Sequence, residues 1–380
     1  MPVLRPLLIA TALGTLSLAS QAFERVDGGT LGSFNWIAQS TLVAATSTGS
    51  GATADPLFWP NYGQPSGVVG LLMDFTAASG DEFVCSGSLL SDRVSILTAA
   101  HCVTDGSGAL NQPMSTTVFF YGGPNVDTQI YGKPAGVVTL GVSNIFVNPL
   151  YTGAVIDDND VAVLRLSNSA PSFAQSYGLY NGPLEGLSFN VAGYGRRGSS
   201  GNTGDTLGTG VLRQGNNSYD YAWGDEAFGG AFTAELGPMN LIGQSWVSDF
   251  DNGLAANDAG CRVVGAIVGI TGTRYCNLGV GSSEAGTAGG DSGGPQFIGG
   301  QIASVTSYGL TFIGLGDVDC LDDPTCQLNA TFGEFSGYAP VYHNLAFIQG
   351  ALAVPEASRS AMLLLGLAAV GVATRKRRAG

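Results

Sequence analysis

Val94-Ser95-Ile96-Leu97-Thr98-Ala99-Ala100-His101-Cys102 is a short apolar run that ends on a histidine and a cysteine. Its first five residues have no helical period and are too few for a helix, so they read as a buried strand. The same grammar recurs on both sides, at Val68–Phe75, Phe83–Leu90, Thr117–Tyr121, Val137–Leu140, Val161–Leu166 and Phe189–Ala192. It returns at Val263–Ile270, Pro295–Ile298 and Ile302–Ser307, with Gly, Asn, Asp or Pro between the runs. Only Val341–Leu352 carries a helical stripe before the C-terminal tail. The pattern predicts an all-β protein, a barrel or a sandwich, with a short C-terminal helix. Residues 23–66 read as an N-terminal extension of weak periodicity, and residues 196–260 as a polar, loop-rich insertion.

Composition narrows the function. The 380 residues include 44% apolar, 12% charged and 58 glycines, which argues against disorder, and the absence of a G-X-Y period excludes collagen. Two histidines, His101 and His343, make a three-histidine metal site impossible. Any histidine chemistry falls to one of these two.

Both ends read as targeting segments. Met1 to Ala22 holds one basic residue, Arg5, an apolar run from Leu7 to Ala19, and then Ser20-Gln21-Ala22. That is the pattern of a secretory signal peptide over 1–22, cut after Ala22 by signal peptidase. At the other end, Val354-Pro355-Glu356 precedes an apolar run from Ala361 to Thr374 and then Arg375-Lys376-Arg377-Arg378. Fourteen helical residues span roughly 21 Å, short for a bilayer core of ~30 Å, and the basic cluster sits on the cytoplasmic side. Residues 354–380 resemble a PEP-CTERM sorting signal, with Ala357 where that family has proline. The resemblance implies a C-terminal membrane helix and an exosortase as a further processing partner. The expected location is exported (periplasmic, cell-surface or extracellular), with an initial membrane anchor.

Without these ends, the 15 basic and 29 acidic residues fall to nine and 28, a net charge of −19. Such a surface repels nucleic acid and anionic lipid. Six cysteines, Cys85, Cys102, Cys261, Cys276, Cys320 and Cys326, lie in the exported portion. Three disulfides are expected, and sequence alone allows fifteen pairings, of which consecutive pairs are the most local. There is no CxxC pair to suggest zinc, and no cofactor or metal is expected.

Three segments hold what acyl transfer requires. A serine needs a base to take its proton, and a histidine base needs a carboxylate to fix its tautomer. The histidine is His101. Asp160, in Asn159-Asp160-Val161-Ala162, directly precedes an apolar strand, unlike its neighbours Asp157 and Asp158. The serine is Ser292, in Gly290-Asp291-Ser292-Gly293-Gly294-Pro295. Its glycines permit a turn that exposes the hydroxyl, with the N–H groups of Gly290 and Ser292 as an oxyanion hole.

These segments resemble the chymotrypsin/trypsin family of serine peptidases over roughly Val68 to Gln349. Thr98–Cys102 matches TAAHC, Asn159–Ala162 matches ND(I/V)A, and Gly290–Pro295 matches GDSGGP, in the order His, Asp, Ser. The resemblance implies two packed antiparallel six-stranded barrels in a peptidase domain over 67–353, acting as an endopeptidase on protein or peptide substrates. It also implies a Cys85–Cys102 disulfide, and makes Val191–Gly195 the opening strand of the second barrel. Ser307-Tyr308-Gly309 would then pair with substrate backbone. Asp291 would be the structural acid that receives a freed N-terminal amine. The family's Ile-Val-Gly-Gly is absent; Arg25-Val26-Asp27-Gly28-Gly29 is its only echo. Gly286 stands where trypsin-like members hold an aspartate, and Ala288 replaces a pocket cysteine, so small or apolar residues are expected before the cleaved bond. Glu284 is the nearest acid that could supply a charge instead. Asp249-Phe250-Asp251-Asn252-Gly253 begins like a calcium loop but lacks the later ligands, so it and Asp317–Asp323 read as solvated acidic loops. The rival from another class is a catalytically silent, peptidase-like surface binding protein.

Overall fold

The computed structural model describes residues 26–40, 56–60, 65–75, 82–104, 111–198, 201–202, 204, 206–315 and 328–354. Residues 1–22, read as a signal peptide, residues 355–380 of the segment read as a sorting tail, Cys320, Cys326 and Asp317–Asp323 lie outside these residues. No helix among the described residues is long and apolar enough to cross a membrane.

The first half is the predicted barrel. β3 (Val68–Asp74), β4 (Glu82–Leu89), β5 (Ser95–Thr98), β6 (Ser115–Tyr121), β7 (Val137–Val147) and β8 (Ala162–Leu166) close in the order β3-β4-β5-β8-β7-β6, every pair antiparallel. Closure leaves no free edge, and every residue of β5 and β8 is buried. Their residues Ile96, Leu97, Val163 and Leu164 join one core with Val69, Leu71 and Val118. Each residue fully buried there contributes about 1.5–3 kcal/mol of hydrophobic stabilisation.

The second half departs from the expected second barrel. It is one sheet in the order β10-β9-β13-β14-β15-β12-β11, formed by β9 (Ser188–Gly193), β10 (Arg213–Ser218), β11 (Tyr221–Ala222), β12 (Trp246–Asp249), β13 (Pro295–Ile298), β14 (Gln301–Phe312) and β15 (Phe335–Pro340). The path curls into a half-barrel, its end strands β10 and β11 unjoined. Val191–Gly193 belong to its β9, as the opening-strand reading expected.

Two local expectations are corrected and a third gains detail. The stretch read as loop-rich insertion contains β10, β11 and β12; β10 is polar throughout (Arg-Gln-Gly-Asn-Asn-Ser), and β11 and β12, of two and four residues, are too short to show an alternation. The N-terminal extension contributes a hairpin, β1 (Val26–Leu31) and β2 (Phe34–Gln39), with β2 added to β14. Val263–Ile270 is no strand: Ala259–Ile267 is helix α2, after the four-residue helix α1 (Met239–Ile242). Asp258 starts α2 by accepting from the Cys261 N–H at 2.7 Å, and this N-cap outweighs the β-branched content of the run. The predicted C-terminal helix exists as α3 (Val341–Ala353). It docks on the barrel, where buried Arg165 donates to the Ala351 carbonyl and Asn148 donates to Asn344.

Candidate active site

The site lies between the barrel and the sheet. β5 delivers the chain into a 3-10 turn at His101–Val103, tied to β4 by the Cys85–Cys102 disulfide. Closing a loop of 17 residues stabilises the fold by about 3 kcal/mol through the unfolded chain. Asp160 sits two residues before β8, so neighbouring barrel strands β5 and β8 bring the two groups together. His101 Nδ1 lies 2.6 Å from Asp160 Oδ2, and the His101 backbone N–H donates to Asp160 Oδ1 at 2.8 Å. Ser307 Oγ, from β14, donates to the same Oδ2 at 2.6 Å. The His101 backbone N–H and the Ser307 hydroxyl both donate to this carboxylate; an imidazole hydrogen on Nδ1 gives it a third donor and leaves Nε2 with a lone pair.

All three adjoining aspartates are buried, so 157–160 is no solvated run. Asp157 accepts from the Thr152 N–H and hydroxyl, and burial pushes its carboxyl up. Asp158 accepts from Gln244 N–H and lies 3.3 Å from His343 Nε2, which places the second histidine in a separate contact.

Ser292 Oγ is buried, makes no hydrogen bond, and lines one narrow cavity with His101, Gly290 and Ser40. Unliganded sites commonly make the nucleophile–base bond only when substrate arrives. The serine loop is fixed from both halves of the molecule. Ser292 O accepts from Ser86 N–H at 2.8 Å. Ser86 Oγ donates to Gly290 O at 2.9 Å and accepts from Tyr194 N–H. Gly290 and Gly293 have φ of +110° and +80°, and a Cβ on Gly293 would fall 2.0 Å from Thr98 Oγ1. Only glycine fits there. Sequence reading missed Ser86, which joins β4 to the loop, because a strand serine carries no motif.

Asp291 is buried and accepts from Gly195 N–H at 3.1 Å and Ala288 N–H at 3.4 Å. Val26, the residue a cut after Arg25 would free, stands exposed in β1 opposite Gln39. Tyr308 has its side chain in the core, its hydroxyl taken by Trp223 and Ser245, so only its backbone can meet a ligand. Gly309 is in β14 and Gly286 lies on the loop before the serine.

The ring beside Gly286 is apolar: a Cβ there would meet Phe250 at 3.2 Å. Phe250 was hidden inside a stretch dominated by its acidic neighbours. Those neighbours are not solvated, contrary to expectation. Asp249 accepts from Gly260 N–H, Asp251 from Gly253 N–H, and both are buried. Glu284 accepts from Asp251, Asn252 and Val280 N–H, and is 1% exposed. Burial, reinforced by the Asp251 charge, pushes Glu284 up to about 8, and burial pushes Asp251 up to about 6. With its oxygens committed to three amides, Glu284 does not offer a carboxylate to a ligand.

Cys261 and Cys276 also form a disulfide. The two groupings of possible metal ligands among the described residues, Cys85–His101–Cys102 and Asp258–Cys261–Cys276, each contain one of these disulfides. Sulfurs so bonded are not thiolates and cannot serve as zinc ligands.

Comparison with known proteins adds one independent observation. Residues 71–227 match the Trypsin family. The match holds His101 and Asp160 and ends ahead of Ser292. It supports a chymotrypsin/trypsin-like serine peptidase, whose substrates would be proteins or peptides. No curated protein matches the chain.

Proposed function

We propose that the protein is a serine endopeptidase in which Ser292 is the nucleophile, His101 the general base and then acid, and Asp160 the group that orients it. The observation that carries this is the His101–Asp160 pair at 2.6 Å, beside a buried serine without a partner in the same cavity. Ser292 Oγ attacks the peptide carbonyl while His101 Nε2 takes its proton, and Asp160 stabilises the imidazolium. The Gly290 and Ser292 N–H groups receive the oxyanion. His101 then gives its proton to the leaving amine, and water repeats the sequence on the acyl-enzyme.

Phe250 behind Gly286, and Glu284 turned to backbone amides, favour small or apolar residues before the cleaved bond. Export follows from the 1–22 signal, with signal peptidase and an exosortase as processing partners and residues 354–380 as the initial anchor. The peptidase unit is 67–353. The test is hydrolysis of casein and of a fluorogenic peptide panel by purified protein and by Ser292→Ala. Hydrolysis by the first and none above background by the second is expected. Equal hydrolysis by both removes Ser292 from the chemistry, and none in either returns the chain to a silent binding protein.

A further inference from the structure

β14 runs past the centre of the site: Ser307 holds Asp160, and two residues on, Gly309 begins the stretch that pairs with β2. The ladder is antiparallel, Gly309 opposite Gln39, Leu310 opposite Ala38, Thr311 opposite Ile37 and Phe312 opposite Trp36. Just beyond it, Ile313 N–H donates to Asn35 O at 2.9 Å. Hydrogen-bonded pairs alternate along such a ladder, so Thr311/Ile37 and Gly309/Gln39 are hydrogen-bonded pairs too. β2 therefore takes up the backbone groups of Gly309, the residue read above as pairing with substrate.

The side chains follow the same logic. Trp36, Ala38 and Ser40 are buried while Asn35, Ile37 and Gln39 are not, the period of two expected of a strand. Trp36 and Ala38 pack in the core cluster that holds Tyr308 and Leu310. The antiparallel direction aims the C-terminal end of β2 at Ser307, and Ser40 lines the cavity shared by His101 and Ser292. β1, by contrast, pairs with β2 alone and is exposed except at Leu31. The hairpin is thus a surface addition whose one inward strand lies along β14.

We infer that residues 34–40 are an intramolecular pseudosubstrate, a strand of the chain's own occupying the place where an extended peptide substrate would add to β14. This deepens the peptidase reading and rests on it. A peptide can bind by strand addition only where an edge is open, and here β2 must leave first. The occupant also describes the substrate: an extended segment with small side chains, as at Ala38 and Ser40, at alternate positions on the acyl side.

The test compares the full chain with Ile37→Pro/Gln39→Pro, which removes the two N–H donors of those pairs. With an extended fluorogenic peptide, the variant should show KM lowered at least about tenfold and kcat unchanged, the signature of removing a competitor for ground-state binding. The synthetic peptide Phe-Asn-Trp-Ile-Ala-Gln-Ser should raise the variant's apparent KM and leave the wild type's unchanged. Gln39→Pro alone, which loses one pair, is measured beside it in case the double variant does not fold, and should move KM the same way. Equal KM in folded wild type and variants, with hydrolysis intact, overturns the pseudosubstrate and spares the peptidase reading. No hydrolysis in any of them overturns that reading and the inference with it.

Discussion

Asp160→Asn changes almost no volume, yet it sets three donors against one acceptor oxygen. If the amide oxygen replaces Oδ2, it can receive Ser307 Oγ–H and His101 Nδ1–H, but the new NH2 then faces the His101 backbone N–H. A buried donor left unpaired costs about 1–3 kcal/mol. If the amide is turned the other way, NH2 faces Nδ1. The imidazole must then shift its hydrogen to Nε2, where it can no longer take a proton from Ser292. The second arrangement leaves no two donors opposed, so it is the favoured one, and it is the one that loses catalysis. The equivalent loss in triads of this kind is about 10⁴-fold in kcat, or about 5.5 kcal/mol of barrier. The assay is steady-state peptide hydrolysis, with thermal melting to separate the folding cost. Activity of folded Asp160→Asn within tenfold of wild type would refute the role given to Asp160.

Other perturbations probe the surroundings. A panel varying only the residue before the cleaved bond should favour alanine, valine or leucine over arginine, and clear arginine preference would contradict the roles given to Gly286 and Phe250. Ser86→Ala strands the buried Tyr194 N–H and removes the bond to Gly290 O, so it should cost about 2–4 kcal/mol of stability and lower kcat; an unchanged melt argues against Ser86 as the link. Because burial raises Glu284 from 4.5 to about 8, the folded state binds the extra proton between those values. Stability contributed by the neutral carboxyl is full below about pH 4.5 and falls as pH rises toward 8, so the protein should melt higher at pH 5 than at pH 8. Glu284→Ala should flatten that slope even if it lowers the melt throughout, and an unaltered slope would assign the effect elsewhere.

The first barrel was legible where its strands are continuous apolar runs buried on closure, as in β5 and β8, whereas β7, which has no buried residue, was read over only Val137–Leu140. The histidine, aspartate and serine were legible because each sits in a tight local motif. What stayed hidden was held by tertiary context. β10 is a polar strand and β12 a four-residue one, both stabilised by their neighbours, and α2 is set by one capping aspartate rather than by propensity. Ser86 and Phe250 act through contacts distant in sequence. The pairing of β2 with β14 joins residues some 270 apart, and no local pattern announces it.

The most direct test of the central claim is covalent. Purified full-length protein is treated with a fluorophosphonate probe, digested and mapped by mass spectrometry, alongside Ser292→Ala and His101→Ala. The account predicts a single adduct on the peptide bearing Ser292, absent from Ser292→Ala and slowed at least about 10³-fold in His101→Ala. No adduct on folded protein, or an adduct on another serine, would contradict it.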